Sequence, residues 1–260
     1  MTIYHQVLNQ LEELHLLQFR NSLPDYLEEH TDISLLDGLH DLLHQELSGR
    51  EQERLKKRLK KAHLPYNKRL MDFDFLFQSK LNKAEIVDLH TLRFLDNKDN
   101  ILFIGNSGVG KTHLAISLAL EALDKGFSSY FILSNDLVNK LLKAQEKGTL
   151  ERAIKKYAKY DVLVIDEMGY LPFSRDGATL LFQLINARYE KKSTLITTNI
   201  PLSQWSDFLQ DKKLTNALID RLVHHSKVIP IMGDSYRMKD YKERKAYHFL
   251  ISTYIFNDHF

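Results

Sequence analysis

The chain has no cysteine. Disulfides and thiolate-bound metal centres are therefore excluded, and a reducing, cytoplasmic setting is expected. Structure breakers are scarce: 5 prolines and 10 glycines in 260 residues argue against long disordered tracts. No apolar run approaches the roughly 18 residues of a membrane-spanning helix. The start, Met1-Thr2-Ile3-Tyr4-His5, opens no signal peptide. A soluble protein is expected. A strong excess of either charge is also missing, since 36 Lys+Arg against 34 Asp+Glu leave a net +2. Any nucleic-acid contact must then come from local patches.

What is present begins at Gly105-Asn106-Ser107-Gly108-Val109-Gly110-Lys111-Thr112, a G-x-x-x-x-G-K-T phosphate-binding loop. The apolar run Asn100 to Ile104 leads in, and a helical pattern from His113 to Ala119 leads out. That strand–loop–helix context is the one the motif requires. Glycines let the backbone approach phosphates closely, and the following helix adds a favourable dipole. Lys111 is expected to reach the β- and γ-phosphates, and Thr112 to hold Mg²⁺. The ligand class is a nucleoside triphosphate with magnesium.

A second motif strengthens the first. Asp161-Val162-Leu163-Val164-Ile165-Asp166-Glu167 reads as a fully buried strand ending in two carboxylates. Asp166 would complete the magnesium site with Thr112. Glu167 is placed to polarise an attacking water, which favours hydrolysis over transfer to another acceptor. The third motif is Ser193-Thr194-Leu195-Ile196-Thr197-Thr198-Asn199, a β-branched strand ending in a polar residue. In an ATPase of the AAA+ kind this strand lies between the other two. Asn199 would then face the γ-phosphate.

The alternation of strands and helices predicts a three-layer α/β domain with a five-stranded parallel sheet over residues 71–245. Candidate strands are 101–105, 129–133, 162–166, 194–198 and 228–232. Helices are expected at 81–95, 111–125, 135–145, 149–158, 176–190 and 214–224. So little chain follows the last strand that any lid is reduced or absent. Residues 246–260 form a tail without an assigned role.

Residues 1–70 read as a small all-α domain, with Ser34, Thr31 or Asp32 as the cap of a second helical stretch. From Gly49 the chain turns basic: Arg50, Arg54, Lys56, Lys57, Arg58, Lys60 and Lys61 outnumber Glu51 and Glu53. Such a run could neutralise several phosphates, or be a solvated helix face. Pro65 ends the helix, and Met71 to Phe75 reads as an extended connector docked by its aromatics. Two arginines could complete the site. Arg221 lies late in the helix before the last strand, where a neighbouring subunit's finger is expected. Arg237 follows that strand and could touch nucleotide in its own subunit. Arg175 and Arg188 are weaker candidates for subunit or DNA contacts. His224-His225 reads as helix-end polarity.

Gly108-Val109-Gly110-Lys111-Thr112-His113-Leu114-Ala115, Asp220-Arg221-Leu222-Val223-His224-His225 and Gly233-Asp234-Ser235-Tyr236-Arg237 together resemble the IstB-like ATP-binding proteins. These are AAA+ helpers of bacterial insertion sequences, close to DnaC-type helicase loaders. The resemblance implies binding of ATP, including at His113, and self-association on duplex DNA. It also implies recruitment or stimulation of a separate transposase, without DNA cleavage by this chain. A replicative helicase loader is the alternative. A nucleotide-binding scaffold without turnover and a small-molecule kinase fit less well.

Overall fold

The computed structural model describes residues 2–30 and 32–239. They fall into two compact units that divide between Lys60 and Lys61. The break comes earlier than the expected boundary at residue 70, so the segment through Lys61 and Leu70 goes with the second unit.

The first unit contains α1 (Ile3–Glu13), α2 (Leu17–Glu29) and most of α3 (Leu35–Ala62). Leu11, Phe19, Leu23, Tyr26 and Leu42 form its core. Ser34 caps α3, its Oγ accepting from Asp37 N at 3.2 Å. The N-terminus of α2 has no local cap. Instead the buried Glu46, from α3, accepts from Gln18 N at 2.7 Å and Phe19 N at 3.0 Å. Arg50 Nε donates to the other oxygen of Glu46 at 2.7 Å. These contacts hold the Glu46 carboxyl below its ordinary range against the opposing effect of burial. The helix α3 also carries Leu35, Leu36 and Leu47 at 85%, 77% and 67% exposure.

The second unit is built on a parallel sheet of β1 (Asn100–Gly105), β2 (Ser129–Leu133), β3 (Val162–Met168), β4 (Ser193–Thr198) and β5 (Ser226–Ile231). The order is β2-β3-β4-β1-β5, with β4 between β1 and β3 as expected. Strands covered on both faces need continuous apolar runs, and Ile101, Leu102, Phe103 and Val162 to Ile165 are all fully buried. Between and around them lie α6 (Lys111–Asp124), α7 (Ser134–Glu146), α8 (Leu150–Ala158), α9 (Arg175–Arg188) and α11 (Lys212–His224).

Three local expectations change. Residues 81–95 form α4 (Lys83–Leu89) and α5 (Arg93–Asn97) rather than one helix. His90 Nδ1 donates to Ile86 O and Thr91 Oγ1 to Asp88 O, taking carbonyls of the last turn, and Leu92 turns left-handed at φ 63°. The connector is not wholly extended: Leu70–Asp72 is a 3-10 turn, closed by Asp72 accepting from Arg69 N at 2.7 Å. A short helix that the sequence reading missed, α10 (Trp205–Leu209), follows β4 and buries Trp205 completely.

No helix among the described residues is long and apolar enough to cross a membrane. The expected tail at 246–260 lies outside the described residues, as does the chain in which a lid would fall.

Candidate functional site

The C-terminal ends of β1, β3 and β4 open into a cleft of about 420 Å³. The loop after β1 forms its floor. Gly110 sits at φ 101° directly before α6, and Gly108 at φ 81°, both in the left-handed region that favours glycine. Space is equally restrictive: a Cβ at Gly110 would lie 2.5 Å from the Phe73 ring, and one at Gly108 would lie 2.0 Å from Ser235 Oγ. Lys111 folds back over the loop, donating to Gly105 O at 2.6 Å and Asn106 O at 2.7 Å. Burial pulls its ammonium below the ordinary value, while Asp166 opposes that shift.

The carboxylates are held by neighbouring strands. Asp166 accepts from Thr112 Oγ1 at 2.9 Å and from Thr197 Oγ1 at 2.5 Å. The β3–β4 register slips between Ile165 and Met168, a local irregularity of the kind that re-aims side chains. Glu167 sits at this slip in left-handed backbone, φ 58°. Its N–H donates to Thr197 Oγ1 at 3.0 Å, and its carbonyl accepts from Ser134 Oγ at 3.0 Å. The side chain is thereby exposed in the cleft.

Asn199 lines the same cleft from the end of β4, and Arg237 lines it from the segment after β5. That segment is pinned to the loop by Tyr236 N donating to Gly108 O at 2.9 Å. The structure thus brings Ser107 to His113, Glu167, Asn199 and Arg237 together around one space, with Asp166 bonded to Thr112 behind them. Gly105 and Asn106 support this wall by accepting from Lys111.

Arg221 stands apart. It lies on α11 outside the cleft lining, with its Nε donating to Asn186 Oδ1 at 2.9 Å and its guanidinium 4.7 Å from the Phe182 ring centroid. Arg188 is overturned as a contact residue. It is 1% exposed and donates to the carbonyls of Tyr157, Tyr160 and Ser193 and to Thr194 Oγ1. Its guanidinium ties α8, the segment between α8 and β3, and β4 together internally. Arg175 is exposed at the start of α9. His224 and His225 lie near Tyr189 and Glu190, with His225 Nε2 3.4 Å from Glu190 Oε1.

Sequence reasoning missed Thr197, whose only local signal is that of any β-branched strand residue. It also missed the wall supplied by Tyr66, Lys68, Phe73 and Gln78. The Phe73 ring packs 4.9 Å from Phe75 and 5.3 Å from His113 between centroids.

Residues 9–244 match the family described as IstB-like ATP binding protein. The chain belongs to that family. Among IstB-like relatives it is 44% identical, over 92% of its length and 96% of theirs, to a protein of insertion sequence IS232 from Bacillus thuringiensis subsp. berliner that is named as ATP-binding. A similarly named protein of insertion sequence IS21 from Pseudomonas aeruginosa is 42% identical, with 78% of this chain and 76% of that one covered. In solved structures the fold resembles AMPPCP-bound DnaA from Aquifex aeolicus, at TM-score 0.56, 20% identity, and 70% and 55% coverage of the two chains. It also resembles DnaI, at TM-score 0.54, 21% identity, and 64% and 92% coverage. The IstB-like chain thus carries its phosphate-loop motif on a parallel α/β fold that resembles those of DnaA and DnaI.

Proposed function

We propose that this chain is a magnesium-dependent ATPase that assembles on duplex DNA and recruits or stimulates a separate transposase. The observation that carries the reading is the convergence of Lys111, Glu167, Asn199 and Arg237 on one cleft, beside the hydrogen-bonded Thr112–Asp166 pair. The donor set fits a hard cation: a hydroxyl and a carboxylate lie within 2.9 Å of each other at the end of a phosphate loop. Thr112 and Asp166 would hold Mg²⁺, which when bound neutralises charge on the β- and γ-phosphates.

The side chains divide the remaining work. Backbone N–H groups of the loop and the Lys111 ammonium bind the phosphates. Glu167 takes up the proton of a water aimed at the γ-phosphorus, and Asn199 orients that water. Arg237 balances the negative charge that develops on the phosphate oxygens. Arg221, outside its own cleft, supplies a second cation to the cleft of a neighbouring copy. That exchange couples nucleotide state to assembly.

Two features of the first unit support the partners. The exposed leucines of α3 form an apolar surface of the kind that marks interaction sites. The C-terminal half of α3 carries the basic run. Part of it is already paired along the helix, with Lys56 to Glu53 and Arg58 to Glu51, both at 2.6 Å. The Lys56–Glu53 pair is exposed on both sides, and such a pair exchanges readily for phosphate contacts.

The test is ATP hydrolysis by the wild type and Lys111→Ala, with and without duplex DNA, together with sizing of the particles formed. Expected are DNA-stimulated turnover and ATP-dependent particles on duplex, both lost in the variant. Turnover indifferent to DNA overturns the DNA-coupled reading and shifts weight to a helicase loader.

A further inference from the structure

His224 is the last residue of α11, and His225 is its cap. The fold brings Glu190, from the turn after α9, to the same place. One donor atom from each of these three side chains lies within 4.8 Å of the other two. No other group of three metal-ligating side chains among the described residues gathers within that distance. His225 Nε2 and Glu190 Oε1 stand 3.4 Å apart. That is about the spacing of two ligands on a tetrahedral ion with bonds of roughly 2.0–2.1 Å. The rings of His224 and His225 meet edge to face, 4.3 Å between centroids.

The backbone beneath these ligands is held. His225 O accepts from Asn100 N at 2.7 Å, which ties it to the start of β1. Arg188 O accepts from Lys191 N at 2.9 Å and Lys192 N at 3.0 Å, closing the turn in which Glu190 stands at φ 56°. Tyr189 bridges two of the ligands: its hydroxyl lies 3.1 Å from His224 Nδ1 and bonds the Glu190 carboxylate. Outer partners of this kind orient ligating histidines and carboxylates. The neighbouring cation, Arg221, is engaged by Asn186 and the Phe182 ring. The His225 and Glu190 side chains are 43% and 56% exposed, so an ion can reach them and small rotations can close the remaining gap.

We propose that Glu190, His224 and His225 form a binding site for a divalent transition-metal ion of the zinc class. Two imidazoles and one carboxylate suit zinc and its neighbours, whereas calcium and magnesium take oxygen donors. Three protein ligands leave a coordination position for water. The site lies apart from the nucleotide cleft and shares no lining residue with it. A bound ion would clamp the end of α9 to the end of α11. These are the two helices that carry Phe182 and Asn186 on one side and Arg221 on the other.

The experiment is calorimetric titration of the full chain with Zn²⁺, without nucleotide and in excess Mg²⁺, which competes at oxygen-only sites. Melting temperature is recorded alongside. One equivalent should bind with a dissociation constant in the micromolar range or tighter, and saturation should raise the melting temperature by several degrees. His224→Gln and His225→Gln should each weaken Zn²⁺ about 10-fold or more. The control is His40→Gln with His44→Gln, a stacked pair on α3 with centroids 6.4 Å apart, which should leave the affinity unchanged. Absence of a single micromolar equivalent overturns the proposal. So does wild-type affinity in the folded His224→Gln and His225→Gln variants, or loss of the equivalent in the α3 control. Should either single histidine variant melt early without metal, Glu190→Gln decides in its place by the same 10-fold criterion.

Discussion

The hydroxyl of Thr197 donates to Asp166 Oδ1 at 2.5 Å, and its oxygen also accepts from the backbone N–H of Glu167 at 3.0 Å. One buried side chain on β4 thus positions both acidic residues at the end of β3. Thr197→Val keeps the shape and removes both bonds. It should cost about 1–3 kcal/mol of stability, because a backbone N–H is left unpaired. Hydrolysis should fall about 10-fold or more while ATP affinity changes little, and Thr197→Ser should restore most of it. Parallel measurement of turnover, nucleotide affinity and thermal melting checks this. Loss of affinity equal to loss of turnover would contradict it.

Gly105 is required by close packing between neighbouring strands. A Cβ there would lie 2.2 Å from Ile231 O, a backbone atom of the paired strand β5. Neither side can retreat without opening the sheet. Gly105→Ala should destabilise by about 2–3 kcal/mol, lowering the melting point by roughly 5–10 °C for a domain of this size. Calorimetry of the variant without nucleotide is the check.

Arg221 and Glu167 should complement each other between subunits. Each single variant, Arg221→Ala and Glu167→Gln, should hydrolyse ATP poorly by itself. Mixed together, they should recover part of the turnover, since some interfaces then pair an intact Glu167 with an intact Arg221. No recovery in a mixture shown to co-assemble would place Arg221 in a purely structural role through Asn186 and Phe182.

Acid should loosen the second unit near neutrality. Burial holds His90 and His113 below the ordinary value of 6.5. As pH falls past that value, the unfolded chain takes up protons before the folded one does. Their contribution is therefore complete above about pH 6.5 and is lost as pH drops toward the folded values. Melting temperature should decline from pH 7.5 to 5.5, and His90→Gln should flatten the decline. A flat wild-type profile would refute the assignment.

The strands of the sheet were legible because burial on both faces forces uninterrupted apolar runs, and each run ended where the chain needed chemistry. Asp166, Glu167 and Asn199 stood out for that reason. What stayed hidden depends on contacts between distant segments. Thr197 matters through a residue on another strand. Gln78 matters through a carbonyl at Asp234, and Glu46 through the first turn of a different helix. Arg188 misled because a cation late in a helix ordinarily faces water, and only the fold reveals the carbonyls gathered around it.

Glu167 occupies backbone that glycine would adopt more comfortably, with φ at 58°. The position therefore sets durability against activity. Replacement by glycine would relax the chain there and, at the same stroke, remove the carboxylate proposed as proton acceptor. A Glu167→Gly variant should therefore melt higher than the wild type and, on the proposed hydrolysis, turn over less.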